Sequence, residues 1–244
     1  MRRDLVLVLW DIDRTLLYAG ETDRLIYREL VADLLGCPAE HLPAKGTGRT
    51  VPLAVRELLT LNGAPSEQLD ALVEQALREL PRRLTERQEH MLTHGYLLPG
   101  AMSALTAVQA VDWTVPTVVT GNLQRSAQIK LDAFGLTPYV STAIGGYSSD
   151  DPHRPSLVAV AQRRARHGHG VEFDRTNTVI IGDSLEDVTT GVEGGARVIG
   201  VASGTTTAEE LRAAGADAVL ADLTDTAKIL ATLKDLAPAV SEAG

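Results

Sequence analysis

Apolar residues gather along this chain in two rhythms. Short, nearly unbroken runs occupy 5–10 (LVLVLW), 114–119 (TVPTVV) and 177–181 (NTVII), with weaker ones at 197–201 (RVIGV) and 217–220 (DAVL). Runs that do not alternate with polar residues suit parallel strands covered on both faces by helices. Between them apolar positions recur at helical spacing, as in Leu123, Ala127, Leu131 and Phe134. The last third reads strand then helix three times over, which predicts a doubly wound α/β fold with a mostly parallel sheet.

Residues 16–95 break that rhythm. They hold no convincing strand and show helical stretches at roughly 22–35, 51–62, 66–80 and 83–93. Gly36, Pro38, Pro43, Gly46 and Gly48 punctuate the first pair, and Gly63 and Pro65 the second. The pattern predicts a second, smaller, all-helical domain over 16–95, inserted into a core of 1–15 and 96–244. The βα rhythm resumes at Leu98-Pro99-Gly100.

With 244 residues, 44% of them hydrophobic, the chain can bury a core domain of this kind and a smaller one beside it. Its net charge of −9 argues against polyanionic partners, so neither nucleic acid nor an anionic membrane surface is expected. One cysteine, Cys37, excludes an internal disulfide and a Cys-rich zinc site; lying between apolar residues and Pro38, it is expected to be buried. Arg2 and Arg3 precede an apolar run of only six residues that Asp11 and Asp13 interrupt, too short for a secretory signal, and no stretch approaches a membrane span. A cytoplasmic protein is expected. The basic run at 163–169 (RRARHGH) is read as a solvated helix end.

The candidate chemistry lies at the ends of the predicted strands. DIDRT places Asp11 and Asp13 just past the first strand, where ligands bind in open parallel sheets. Two carboxylates so close repel unless a cation neutralises them, and oxygen ligands favour a hard divalent ion such as Mg²⁺. Alone, the pair would equally be read as solvated loop aspartates. A second pair follows another strand in TVIIGDSLED: Asp183, then Asp187 one helical turn on, with Ser184 placed to cap the helix. Asp187 alone would only complement a helix dipole. Two such pairs on one sheet look like a single metal site. VVTGN ends a third strand with Thr120, Gly121 and Asn122, which suit a phosphate oxygen at a helix start or, taken alone, make a cap and turn. Arg154, before Pro155, suits phosphate or balances the acids.

In this order, DIDRT, TGN, a basic residue before Pro and GDSLED resemble the haloacid dehalogenase-like hydrolase superfamily over essentially the whole chain. The helical insertion looks like the C1 cap of its phosphoglycolate phosphatase-like and β-phosphoglucomutase-like members, with GTGRT at 46–50 where those caps carry a substrate-facing loop. The resemblance implies that Asp11 is the nucleophile forming an aspartyl-phosphate and Asp13 the general acid and base. It implies that Thr120, Gly121 and Asn122 hold the phosphoryl group and that Arg154 is the motif-three cation. Asp11, the Asp13 carbonyl oxygen and Asp183 would bind Mg²⁺, with Asp187 in support.

Two departures stand out: Arg14 replaces the usual Gly before Thr15, and Arg154 the commoner Lys. The rival for the motif-three role, Lys130, lies eight residues beyond Asn122 and is read as a solvated helix residue. Thr47, Arg49 and Arg56 are the polar cap candidates, with Arg49 the foremost substrate contact. The expected function is a Mg²⁺-dependent phosphatase acting, as a monomer or homodimer, on a small phosphorylated metabolite. A phosphomutase or a catalytically idle regulatory protein on the same fold are the alternatives.

Overall fold

Every side chain of the first apolar run is shielded from water, and its two faces meet different neighbours. In the computed structural model, which describes residues 5–44 and 48–237, the run forms strand β1 (Val6–Trp10). Val6, Val8 and Trp10 pack with Leu105, Val108 and Leu233, whereas Leu7 and Leu9 pack with Leu157, Val158 and Ala161. A strand covered on both sides has no use for polar residues, which is why the run does not alternate.

After β1 come a two-residue strand β2 (Leu17–Tyr18), four helices and a second short strand. The helices are α1 (Thr22–Leu35), α2 (Val51–Leu61), α3 (Leu69–Glu86) and α4 (Gln88–His94), and the strand is β3 (Tyr96–Leu97). The chain then alternates: α5 (Ala101–Ala110), β4 (Thr114–Thr120), α6 (Gln124–Ala133), β5 (Gly146–Tyr147), α7 (Ser156–His169), β6 (Thr178–Gly182), α8 (Leu185–Gly194), β7 (Arg197–Val201), α9 (Ala208–Ala213), β8 (Ala218–Leu220) and α10 (Thr226–Leu236). Six strands form one sheet in the order β5-β4-β1-β6-β7-β8, with every neighbouring pair parallel. This is the doubly wound α/β architecture that the hydrophobic pattern predicts. Because the strands are parallel, β1, β4 and β6 all open their C-terminal ends towards one edge, with β1 between the other two.

Four features differ from the sequence expectation. The stretch 16–95 does contain a strand: β2 pairs antiparallel with β3, Leu17 facing Leu97 and Tyr18 facing Tyr96, so the two crossings into the insertion are tied together. Two residues are too few to leave a periodic signal. Helix α3 runs through Pro81, where a break was expected, because Val73, Ala76, Leu80 and Leu84 keep one continuous buried stripe. That packing offsets the hydrogen bond a proline cannot donate. The edge strand β5 is too short to announce itself in sequence. Cys37 is exposed, not buried, since α1 ends at Gly36 in a left-handed cap and the chain turns outward there.

Among the described residues no helix is long and apolar enough to cross a membrane. Leu7 of β1 is fully buried on the face covered by α7, so Leu7→Ala should destabilise the protein by about 2–5 kcal/mol. Leu185→Ala, at a position 47% exposed, should cost no more than about 0.5 kcal/mol. Urea denaturation checks both; similar values for the two would contradict the packing described for β1.

Candidate active site

Asp11 follows directly on β1, Asp183 on β6, and Asp187 lies in the first turn of α8. The three are buried, and a carboxylate oxygen from each lies within 4.8 Å of the others. Local sequence builds this cluster. Ser184 caps α8, accepting a hydrogen bond from the Asp187 backbone N–H, while Asp187 Oδ2 accepts from the Ser184 N–H at 2.9 Å and from its hydroxyl at 2.6 Å. That box turns Asp187 towards the end of β6. The Thr15 hydroxyl lies 3.1 Å from Asp183 Oδ1 and 3.3 Å from Asp11 Oδ2.

One cation reaches this cluster from the loop before α7. Arg154 is 2% exposed and donates from Nη2 to Asp11 Oδ1, at 2.7 Å, and to Asp187 Oδ1; its Nη1 donates to the Gly48 carbonyl of the insertion. A Cβ on Gly48 would lie 2.6 Å from that Nη1 and 2.5 Å from Ser184 Oγ, and Gly48 also has a φ of 68°, so only glycine suits this approach.

Arg154, even with the charge of Arg14 acting on Asp183, does not balance three buried carboxylates. Burial, then the Asp187 charge, raise the Asp11 carboxyl well above its ordinary range; the same causes in the same order push Asp183 up to about 7. Asp183 Oδ2 is buried with no hydrogen-bond partner, and a Cβ on Gly204 would fall 1.8 Å from it. An unpartnered carboxylate oxygen, beside acids that resist ionisation, in an all-oxygen donor set, fits a hard divalent cation such as Mg²⁺.

The Asp13 carboxylate belongs to a different network. Its Oδ2 accepts from Asn122 Nδ2 at 2.7 Å, and both oxygens accept from Lys130 Nζ at 2.9 Å. Lys130 also donates to Asn122 Oδ1, at 3.1 Å, and to Asp23 Oδ2 on α1, at 2.8 Å. Burial disfavours the ammonium charge, but Asp13 and Asp23 outweigh it and hold Lys130 above its ordinary pKa. The expectation of a solvated Lys130 is therefore corrected: it is 1% exposed. Helix α6 begins only at Gln124, so Lys130 lies about 9 Å along it, and helical side chains lean back towards the N-terminus. The long aliphatic stem spans the remainder. The sequence carries a partial signal: Lys130 lies three residues after Ala127 and four before Phe134, on the edge of the apolar stripe.

Thr120 ends β4, and its hydroxyl oxygen accepts from the Asn122 N–H and Nδ2 at 3.2 and 2.8 Å. The Gly121 carbonyl accepts from the Val51 N–H at the start of α2, at 2.8 Å. Thr120 and Gly121 line a cavity of about 210 Å³ with Asp11, Asp13, Arg154 and Asp183 on the core side. Arg49 also lines the cavity, its guanidinium donating to Glu57 of α2. Arg56 is exposed and pairs with Asp70 of α3. Gly46 and Thr47, also singled out in the sequence, lie outside the described residues. The Arg163–His169 run ends α7 in a left-handed cap at Gly170.

Comparison with known proteins matches the chain to a family. The model of the haloacid dehalogenase-like hydrolases matches residues 8–191. Probable phosphatase IndB of Dickeya dadantii (strain 3937) is 28% identical over 122 residues, 49% of this chain and 50% of that protein. The match thus spans about half the length of that relative. Among solved structures, a predicted phosphatase from Clostridium acetobutylicum superposes with a TM-score of 0.67 at 18% identity, over 93% of this chain and 99% of the other. A hydrolase from Deinococcus radiodurans R1, solved with bound phosphate and sodium, superposes with a TM-score of 0.55 at 20% identity, over 96% and 97%. From the family match over most of its length, the chain belongs to the haloacid dehalogenase-like hydrolases.

Proposed function

We propose that the protein is a Mg²⁺-dependent phosphatase that hydrolyses small phosphate monoesters through a phosphorylated Asp11, with the helices of 16–95 as a cap over the core. The observation that carries this reading is the separation of Asp11 from Asp13. Two residues apart in sequence, their carboxylates lie in different networks, one among acids and Arg154, the other clamped by Lys130 and Asn122. Carboxylates in contrasting environments suit separate nucleophilic and acid–base roles.

Asp11, Asp183 and the Asp13 carbonyl oxygen would hold Mg²⁺, with Asp187 in support. The bound ion would stabilise the carboxylate form of Asp11 and screen it from an anionic substrate. Arg154 would share its guanidinium between Asp11 and a phosphoryl oxygen, with Thr120, Gly121 and Asn122 beside the same group. The Asp11 carboxylate forms a bond to phosphorus while the ester P–O bond breaks, and Asp13 gives its proton to the departing oxygen. Asp13 then takes a proton from water as that water attacks phosphorus and the Asp11–phosphorus bond breaks, which releases phosphate and returns Asp11 as a carboxylate and Asp13 as an acid. The phosphate recorded with the Deinococcus hydrolase is compatible with this substrate class.

Asp11→Asn keeps the volume and removes the nucleophilic charge, so phosphate release should fall by at least about a thousandfold. Asp13→Asn should lose most activity on alkyl phosphates, whose poor leaving groups need a proton. Wild-type rates in Asp11→Asn would refute the covalent route.

Between Asp183's ordinary pKa of 3.8 and its folded value of about 7, the metal-free folded state binds more protons than the unfolded one. Its contribution to stability therefore declines as pH rises through that window. Mg²⁺ takes only the carboxylate form, so 5 mM Mg²⁺ (about that order for such sites) should raise Tm more at pH 8 than at pH 5. Equal shifts at both pH values in calorimetry would contradict the assignment.

Lys130→Met should lower kcat on alkyl phosphates by about ten- to a hundredfold and affect p-nitrophenyl phosphate less, because it loosens the acid and leaves the nucleophile in place. Arg154→Ala should slow both esters alike. Identical profiles for the two variants would show that Lys130 has no separate link to proton transfer.

A further inference from the structure

Among the described residues, most cations at or near the cavity are committed to the protein itself. Arg154 is held by Asp11 and Asp187, Lys130 by Asp13 and Asp23, and Arg49 pairs with Glu57. Arg24 pairs with Glu21 at 3.4 Å and donates to the Pro43 carbonyl at 2.8 Å. Arg14 differs. Its guanidinium carbon lies 5.6 Å from the centre of the Tyr18 ring, and among the described residues it forms no ion pair and no side-chain hydrogen bond. Both Arg14 and Tyr18 line the cavity that holds Asp11 and Asp183.

The backbone adds a second observation. Arg14 has a φ of 68°, a left-handed conformation that favours glycine, and its N–H donates to the Leu17 carbonyl at 2.7 Å. The turn is thus built for a residue without a side chain, yet carries the longest planar cation available. Stacking on Tyr18 restrains that side chain while leaving its N–H groups free to donate.

We propose that Arg14 receives a carboxylate on the substrate, so that the preferred esters carry a second anionic group besides the phosphate. This rests on the phosphatase reading above. A guanidinium fork matches a carboxylate through two parallel hydrogen bonds. A cavity of about 210 Å³ suits short molecules, with the two anionic groups a few bonds apart.

The test compares esters matched in size, 3-phosphoglycerate with glycerol 3-phosphate and phosphoglycolate with 2-hydroxyethyl phosphate, in wild type, Arg14→Gly and Arg14→Lys. Glycine suits the left-handed backbone, so a loss in Arg14→Gly does not reflect a strained turn. Wild type should prefer the carboxylated member of each pair. Arg14→Gly should reduce that preference by about ten- to a hundredfold, mainly through KM, and Arg14→Lys should retain part of it. The same ordering should appear in dissociation constants measured by calorimetry on Asp11→Asn with and without the Arg14 substitution. No preference in wild type, or an equal fall for both members of each pair, would overturn the proposal; the second result would assign Arg14 to the electrostatics of the acids. If wild type with Mg²⁺ hydrolyses none of these esters nor p-nitrophenyl phosphate, the phosphatase reading itself fails, and this inference with it.

Discussion

Three buried carboxylates within 4.8 Å of one another, facing one buried guanidinium, set the terms for the rest of this molecule. Such a cluster repels itself and resists ionisation, as the raised Asp11 and Asp183 carboxyls show. The fold tolerates it because neighbouring parallel strands, β1 and β6, deliver Asp11 and Asp183 from a rigid sheet, and the Ser184 box locks Asp187 against them. The unpartnered Asp183 oxygen marks where the charge balance is incomplete. A cation bound there would complete it.

The insertion is joined to this centre by polar contacts at several points. The Gly48 carbonyl accepts from Arg154, the Val51 N–H donates to the Gly121 carbonyl, and the Thr50 hydroxyl donates to the Pro152 carbonyl at 2.7 Å. Lys130 adds a link through charge, holding Asp13 and, on α1, Asp23 with one ammonium. A displacement of α1 would therefore remove one of the two carboxylates that stabilise this buried cation. The position of the insertion and the environment of Asp13 are physically coupled through Lys130.

Much of this was legible in sequence where a local pattern reports directly on structure. Unbroken apolar runs revealed the central strands, because burial on both faces removes the need for polar positions. The acids of DIDRT and GDSLED stood out because they follow such runs immediately. Distance along a helix counted from Asn122 puts Lys130 in solvent, whereas the later helix start and the backward lean of its side chain bring it inside. The apolar neighbours of Cys37 suggest burial, but they say nothing of the left-handed cap that turns the chain outward there. Arg14 stands out in the sequence as a departure, but its stacking on Tyr18 depends on β2, a strand too short to carry a pattern. Long-range partners, such as Asp23 for Lys130 and Gly48 for Arg154, have no local signal at all.

The claim on which the account turns is that Asp11 carries the phosphoryl group. Rapid acid quenching of the protein with p-nitrophenyl phosphate and Mg²⁺, borohydride reduction and peptide mass spectrometry test it directly. Borohydride converts an aspartyl-phosphate to homoserine, so residue 11 should appear as homoserine only in samples quenched with substrate present. Modification at another residue, or turnover that leaves Asp11 unmodified under conditions that trap acyl phosphates, would contradict the account.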